Sequence, residues 1–254
     1  MNRTALRSFL ADLNTAGLDL VFPFPAQTYN TTCLTSTANS QGNPLPPLPT
    51  FSRKSTLSLL VANTKHLWPI FLSYYKSSPS ARAATDPLDD YIDSTITTLL
   101  KTHFPSTPAT TRYTHDTGDR FVHFQRLAHH IGFAHYNPTL FLSVHEQYGP
   151  WFAFRALVVL DIEFEENVWD DMLITKPTHI PPLDPVPDQL EAVKFHMDRF
   201  FAAAQGYDNR AHENHVHLIA ARDASTKDSA RHYRYSDDQI RYHYTKDVSV
   251  LDRK

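Results

Sequence analysis

The run GPWFAFRALVVLDIEF, Gly149 to Phe164, constrains the fold more than any other stretch. Gly149 and Pro150 mark a turn, and an apolar strand follows it. Side chains alternate across a strand. Phe152, Phe154, Ala156, Val158, Leu160, Ile162 and Phe164 then share one face, and all are apolar. Ala153, Arg155, Leu157, Val159, Asp161 and Glu163 share the other. The first face is a core face. The second is mixed, and Arg155 stands where it is still apolar. Two readings of Arg155 stay open. It is an edge residue reaching solvent or a carboxylate, or it is a cation held beside a ligand pocket.

The rest of the chain reads as interleaved helices and strands around that strand. Leu6, Phe9, Leu10 and Leu13 make an apolar helical stripe over residues 3–17, with Gly17 as its stop. LDLVFPF is a short strand broken by Pro23, and STLSLLVANT is a second strand. The segment 30–49, ending in NPLPPLP, reads as a long surface loop. Leu67, Phe71, Leu72 and Tyr75 predict a helix that tolerates Pro69 in its first turn. In TDPLDDYIDSTITTLLKTHF, Asp86 can cap and Pro87 suits the first position, ahead of a stripe from Leu88 to Leu100. TTRYTHD reads as a strand, and residues 119–136 as a helix. LFLSVHEQ is a strand joined to the 151–164 strand by the Tyr148-Gly149-Pro150 turn, as an antiparallel pair. KPTHIPPLDPVP is an exposed connector, and residues 189–204 form a helix. Ser236, with Asp237 and Asp238, starts another helix. The pattern predicts one domain over 1–254, either α+β or a three-layer mixed sheet. It carries a proline-rich loop near 40–50 and an insertion near 203–232.

Composition narrows the function classes. A net charge of -3 gives no field suited to nucleic acid or an anionic membrane. One cysteine, Cys33, excludes an internal disulfide and a CxxC metal site and favours a reducing, cytoplasmic home. The N-terminal stretch lacks the uninterrupted apolar core of a secretory signal. Glycines number only 6, with no GxGxxG and no Walker loop, which argues against a Rossmann or P-loop nucleotide site. No GxSxG is present, and Cys33 has no neighbouring base.

Histidines number 15, and they suggest two kinds of site. On a helix over 119–136, Gln125, His129, Gly132 and Tyr136 share a polar face. A glycine there costs about 1 kcal/mol against alanine, so something packs close to it, or the face meets solvent. The segment AHENHVH brings His212, His215 and His217 together with Glu213. That is either a solvated loop or, with His129, a set of ligands for iron, copper or zinc. His129 and His130 are adjacent and point about 100° apart on a helix, so they do not easily chelate one ion.

GPWFAFRALVVLDIEF resembles the signature strand of the cytosolic cobalamin-processing family called MMACHC or CblC, a Gly-Gly-Trp-Phe-Ala-Ile-Arg-Gly pattern. TDPLDDYI, FQRLAHHIGFAHY and RYSDDQIRYHYT resemble three further family stretches in the same order. The early Tyr29-Asn30 pair also fits, and the likeness spans about residues 20 to 245. It implies a nitroreductase- and flavin-reductase-like scaffold, with a mostly antiparallel mixed sheet flanked by helices. It implies a single-domain enzyme that removes the upper ligand of base-off cobalamin. Cyanide leaves by reduction with FMN, FAD or a flavoprotein, and alkyl groups leave by transfer to glutathione. Arg155 and His129 are then the catalytic residues. Val122, His123, Phe124, Gln125, Gly132, Tyr136, Asn137, Pro138 and Phe154 line the cobalamin, with Gly132 permitting close approach. Arg155, Arg199 and Arg234 bind glutathione. A homodimer fits the same reading. The chain also departs from the pattern. Pro150 replaces the second glycine, the segment before Tyr148 is shortened, Arg199 is displaced by one position, and the His212–His217 insertion is new. The alternative is a divergent oxidoreductase on this scaffold that uses a metal held by His129, His212, His215 and His217.

Overall fold

The computed structural model describes residues 2–34, 45–138, 140–166, 169, 187–203 and 214–253. Helix α1 (Arg3–Thr15) starts at Asn2, whose side chain accepts the Ala5 N–H, and buries Leu6, Phe9 and Leu13. The chain reverses through Gly17, at φ +87, into strand β1 (Leu20–Pro25). That strand runs through Pro23 instead of stopping there. An edge strand tolerates a residue without an N–H, and β1 is an edge strand. A short turn, α2 (Ala26–Thr28), widens into a π-helical turn at Tyr29–Cys33, where Tyr29 and Cys33 are buried. Strand β2 (Thr56–Asn63) is buried along its whole length. Next come α3 (Leu67–Ser77), α4 (Pro79–Ala83) and α5 (Pro87–His103). Asp86 takes the cap position of α5, but its carboxylate reaches Lys246 Nζ at 2.7 Å and makes no cap bond. Strand β3 (Ala109–Tyr113), α6 (Phe124–His130), β4 (His135–Asn137), β5 (Leu142–Val144) and β6 (Ala153–Glu163) follow. Helices α7 (Pro187–Ala203), α8 (His215–Ala224) and α9 (Asp237–Thr245) complete the described order.

The main sheet has the order β1-β2-β6-β3, and each pairing is antiparallel. The LFLSVHEQ stretch does not join it. β5 pairs with β4 as a separate hairpin, and a His145–Gly149 bridge leads from it towards β6. Strand β6 also breaks the single alternation expected of it. Val61 pairs with Ala156, but Ala62 pairs with Phe154. Arg155 is therefore an extra residue with no partner on β2, a β-bulge. The side-chain phase slips there. Phe152, Phe154, Leu157 and Val159 belong to one core, whereas Ala156, Val158 and Leu160 belong to the other.

Those two cores lie on opposite faces of the sheet. Leu57, Leu59, Val61, Val158 and Leu160 pack against α1, α3 and α5. Leu60, Ala62, Leu157 and Val159 pack against Phe22, Phe24, Leu127 and Phe133. A fully buried side chain of this size contributes roughly 1.5 to 3 kcal/mol. The proline-rich stretch belongs partly to this second layer. Leu48 is buried in it, and Arg112 donates to the carbonyls of Pro46 and Pro47. Residues 45–50 are thus packed and not a surface loop. A smaller cluster of Val193, Met197, Phe200 and Ala221 seats α7 and α8 on Leu140, at the β4–β5 turn. The KPTHIPPLDPVP connector lies outside the described residues. No helix among the described residues is long and apolar enough to cross a membrane.

Candidate functional site

Two groups of residues meet at the start of β6, one on each face of the sheet. The first is the unit of α6, β4 and β5. The helix expected over 119–136 is only seven residues long. His123 precedes it, and its Nδ1 accepts the Arg126 N–H at 3.4 Å. After His130 the chain turns at Gly132, φ +80, and the N–H groups of Phe133 and Ala134 both go to the Ala128 carbonyl. Gln125, His129, Gly132 and Tyr136 therefore do not share a helical face. No described protein atom stands within 4 Å of a Cβ built on Gly132, and its positive φ favours a glycine there. Tyr136 lies in β4, where its N–H donates to His129 Nδ1 at 3.4 Å.

The expected cobalamin-lining residues all fall on this unit or on the β6 residues under it. Val122, Phe124 and Phe154 share one apolar cluster. The Phe154 ring lies 5.1 Å from Phe152 and 6.1 Å from both Phe124 and Phe133. Gln125 Nε2 donates to the Phe141 carbonyl at 2.9 Å and so ties α6 to the hairpin tip, where Phe141 is exposed with φ +51. Asn137 Oδ1 accepts the Leu140 N–H, and Pro138 is exposed. The His123 ring stands edge-on to Tyr136 at 5.9 Å. Burial, then Arg126, pushes the His123 imidazole down to about 4. His145, among Phe133, Tyr148 and Phe152, is pushed to about 4 by burial alone.

The second group surrounds Arg155. The bulge turns this side chain to the face opposite Phe154, towards α5 and α9. It is 8 % exposed. Its Nε donates to Asn63 Oδ1 at 2.6 Å, and its Nη2 is sealed from solvent without an acceptor. Burial lowers its pKa, opposed by Tyr235, Asp89, Asp86 and Tyr242. No carboxylate among the described residues forms an ion pair with it. The reading of Arg155 as an edge residue thus fails, because the side chain is buried and reaches neither solvent nor an ion-pair partner among the described residues. Gln239 Nε2 and His243 Nε2, one turn apart on α9, are also buried without partners. The His243 imidazole is held well below its ordinary pKa by burial and by the cations Arg155, Lys246 and Arg222.

The other two arginines differ from each other. Arg234 sits 5.3 Å over the Trp151 ring and is fully engaged, with Asp223 at 2.8 and 3.3 Å and Asp237 at 3.0 Å. Arg199 lies on the exposed side of α7, 4.0 Å from the Phe195 ring, with no hydrogen bond or ring contact to the Arg155 group among the described residues. Sequence reasoning missed Arg222. From α8 it donates to the Pro150 and Phe152 carbonyls at 2.7 and 3.1 Å and to Tyr244 Oη, and it lies 5.2 Å from the Trp151 ring. Trp151, which donates to Thr226 Oγ1 at 2.8 Å, is thus flanked by two guanidinium groups. The segment ARDAS around Arg222 carries no motif that would have singled it out.

His129, His215 and His217, the described members of the expected metal set, are not brought together. Among the described residues, no three histidine, cysteine or acidic side chains are grouped to hold a metal ion. His215 and His217 lie two apart on α8 and point to different sides of it. His129 is on α6, and His212 lies outside the described residues. The His129 Nδ1 accepts an N–H, which places the proton on Nε2 and blocks that nitrogen as a ligand.

Comparison with known proteins supports the fold. No family model matches the chain, and no curated protein matches it. Among solved structures it is similar to the crystal structure of a C. elegans B12-trafficking protein CblC, a human MMACHC homologue. The TM-score is 0.62 at 16% identity, covering 98% of this chain and 96% of that one. The chain shares the CblC-like α+β fold, an antiparallel sheet flanked by helices, as the resemblance implied.

Proposed function

We propose that the protein processes cobalamin, removing the upper axial ligand of the base-off form. The single observation that carries this reading is the buried, unpaired Nη2 of Arg155 within a fold that matches CblC end to end. A guanidinium taken from water without a counter-charge is costly, and an incoming carboxylate relieves that cost with two charge-assisted bonds. Glutathione supplies such a carboxylate. Arg155 binds it once α9 moves far enough to admit it. Arg234 contributes only on releasing Asp223 or Asp237. Arg199 has no part in this scheme unless α7 moves. On the other face, Phe124, Phe133, Phe152 and Phe154 form the apolar floor under the ligand, and His129 and His123 stand at its margin.

In the dealkylation, the thiolate sulfur attacks the cobalt-bound carbon. The carbon–sulfur bond forms, the cobalt–carbon bond breaks, and its electron pair stays on cobalt. In the decyanation, a flavin or flavoprotein supplies electrons and cyanide leaves. The chain's share of both is positioning and exclusion of water.

The test is an absorbance titration of the purified protein with methylcobalamin, followed by glutathione under anaerobic conditions. The base-off spectrum appears on binding, and the alkyl band decays on thiol addition. Arg155→Ala retains the first change and slows the second about 100-fold, the loss typical of a removed charge-assisted anchor. No spectral shift with wild-type protein would sink the reading.

A further inference from the structure

Three histidines on the α6–β4–β5 unit are tied to the backbone in the same way. His123 Nδ1 accepts the Arg126 N–H at 3.4 Å, His129 Nδ1 the Tyr136 N–H at 3.4 Å, and His145 Nδ1 the Gln147 N–H at 3.1 Å. A ring nitrogen that accepts carries no proton, so the neutral imidazole holds its proton on Nε2. Each ring therefore presents one N–H donor, fixed in tautomer and orientation. No other described residue hydrogen-bonds any of these Nε2 atoms. His123, at the cap of α6, His129, within α6, and His145, just after β5, flank the β4–β5 hairpin. The His123 ring meets the Tyr136 ring, His129 bonds the Tyr136 backbone, and His145 follows Val144, the residue paired with His135.

We propose that His123, His129 and His145 are neutral hydrogen-bond donors to carboxamide carbonyls on the rim of the bound ligand. The proposal rests on the cobalamin reading, because a corrin rim carries carboxamide arms. The matching is one of charge. A neutral N–H beside an apolar floor meets a neutral carbonyl without burying an unpaired charge, whereas a carboxylate rim would call for cations. The surroundings keep all three rings uncharged. His123 faces Arg126, with Tyr136 and Phe121 across from it. His129 faces His130 and His135, and burial with both neighbours lowers its pKa. His145 faces only Phe133, Tyr148 and Phe152.

The experiment combines two readouts. Long-range proton–nitrogen spectra of the free protein report the Nε2–H form for all three rings at pH 7. Absorbance titration with aquocyanocobinamide, which has the carboxamide arms but no nucleotide, then compares wild type, His145→Gln and His145→Phe. The glutamine amide replaces the donor, and phenylalanine does not. His145→Phe weakens binding about fivefold and His145→Gln less than about twofold, the scale of one neutral hydrogen bond. A corrinoid with carboxylate arms binds wild type more weakly than aquocyanocobinamide. Spectra showing Nδ1–H rings, or equal affinity of the phenylalanine variant and wild type, would overturn this proposal alone. Wild-type protein that binds no corrinoid at all would overturn the cobalamin reading and this ligand class with it.

Discussion

A buried donor without an acceptor weighs on the folded state, and Arg155 carries one on Nη2. Methionine fills much of the same volume and leaves no such donor. Arg155→Met is therefore expected to hold or raise the melting temperature by a few degrees, roughly, while glutathione-dependent turnover collapses. A variant that melted well below wild type would make Arg155 a structural residue. His145 gives a second test at this scale. Its folded pKa of about 4 lies below the ordinary value of 6.5. Above pH 6.5 the ring is neutral in both states and costs nothing. As pH falls from 6.5 to about 4, the unfolded chain takes up a proton that the folded chain refuses, so stability is lost across that window. His145→Phe should flatten the fall in melting temperature between pH 6.5 and 4. An unchanged slope would mean the ring is more open to water than its aromatic neighbours imply.

Among the elements, periodic signals survived and connection signals did not. The stripes of α1, α3 and α5 and the Ser236 cap of α9 were legible because each records a local, repeated burial or a single cap bond. The helix read over 119–136 failed because its polar spacing arises from three successive elements, a helix, a glycine turn and a strand. The pairing of β5 with β4 and the arrival of Arg222 at Trp151 depend on contacts far apart in sequence, which no local pattern encodes. Two glycines separate the local from the distant cause. At Gly17, an added Cβ would stand 2.7 Å from Leu67 Cα, and φ is +87. At Gly132, φ is +80 but the space is empty. Gly132→Ala should cost about 1 kcal/mol in denaturant unfolding and Gly17→Ala more than about 2 kcal/mol, because the second adds a backbone clash to the strain. Equal losses would mean that α3 shifts freely.

At the scale of the molecule, one sheet separates two cores, and β2 feeds both. Leu59 and Leu60 are adjacent, fully buried, and packed on opposite faces. Each truncated to alanine should cost about 2 to 5 kcal/mol, with a single cooperative transition kept in both variants. Two separable transitions would mean that the layers unfold independently. The bulge at Arg155 sets how this strand can be altered. It acts as a dislocation in an otherwise regular lattice, with the stretch before it half a period out of step with the stretch after it. Removing one residue there would heal the dislocation. Phe154 would stay opposite Ala62 and Ala156 opposite Val61, so both cores would keep their side chains, and the strand would lose only the buried guanidinium that the extra residue carries.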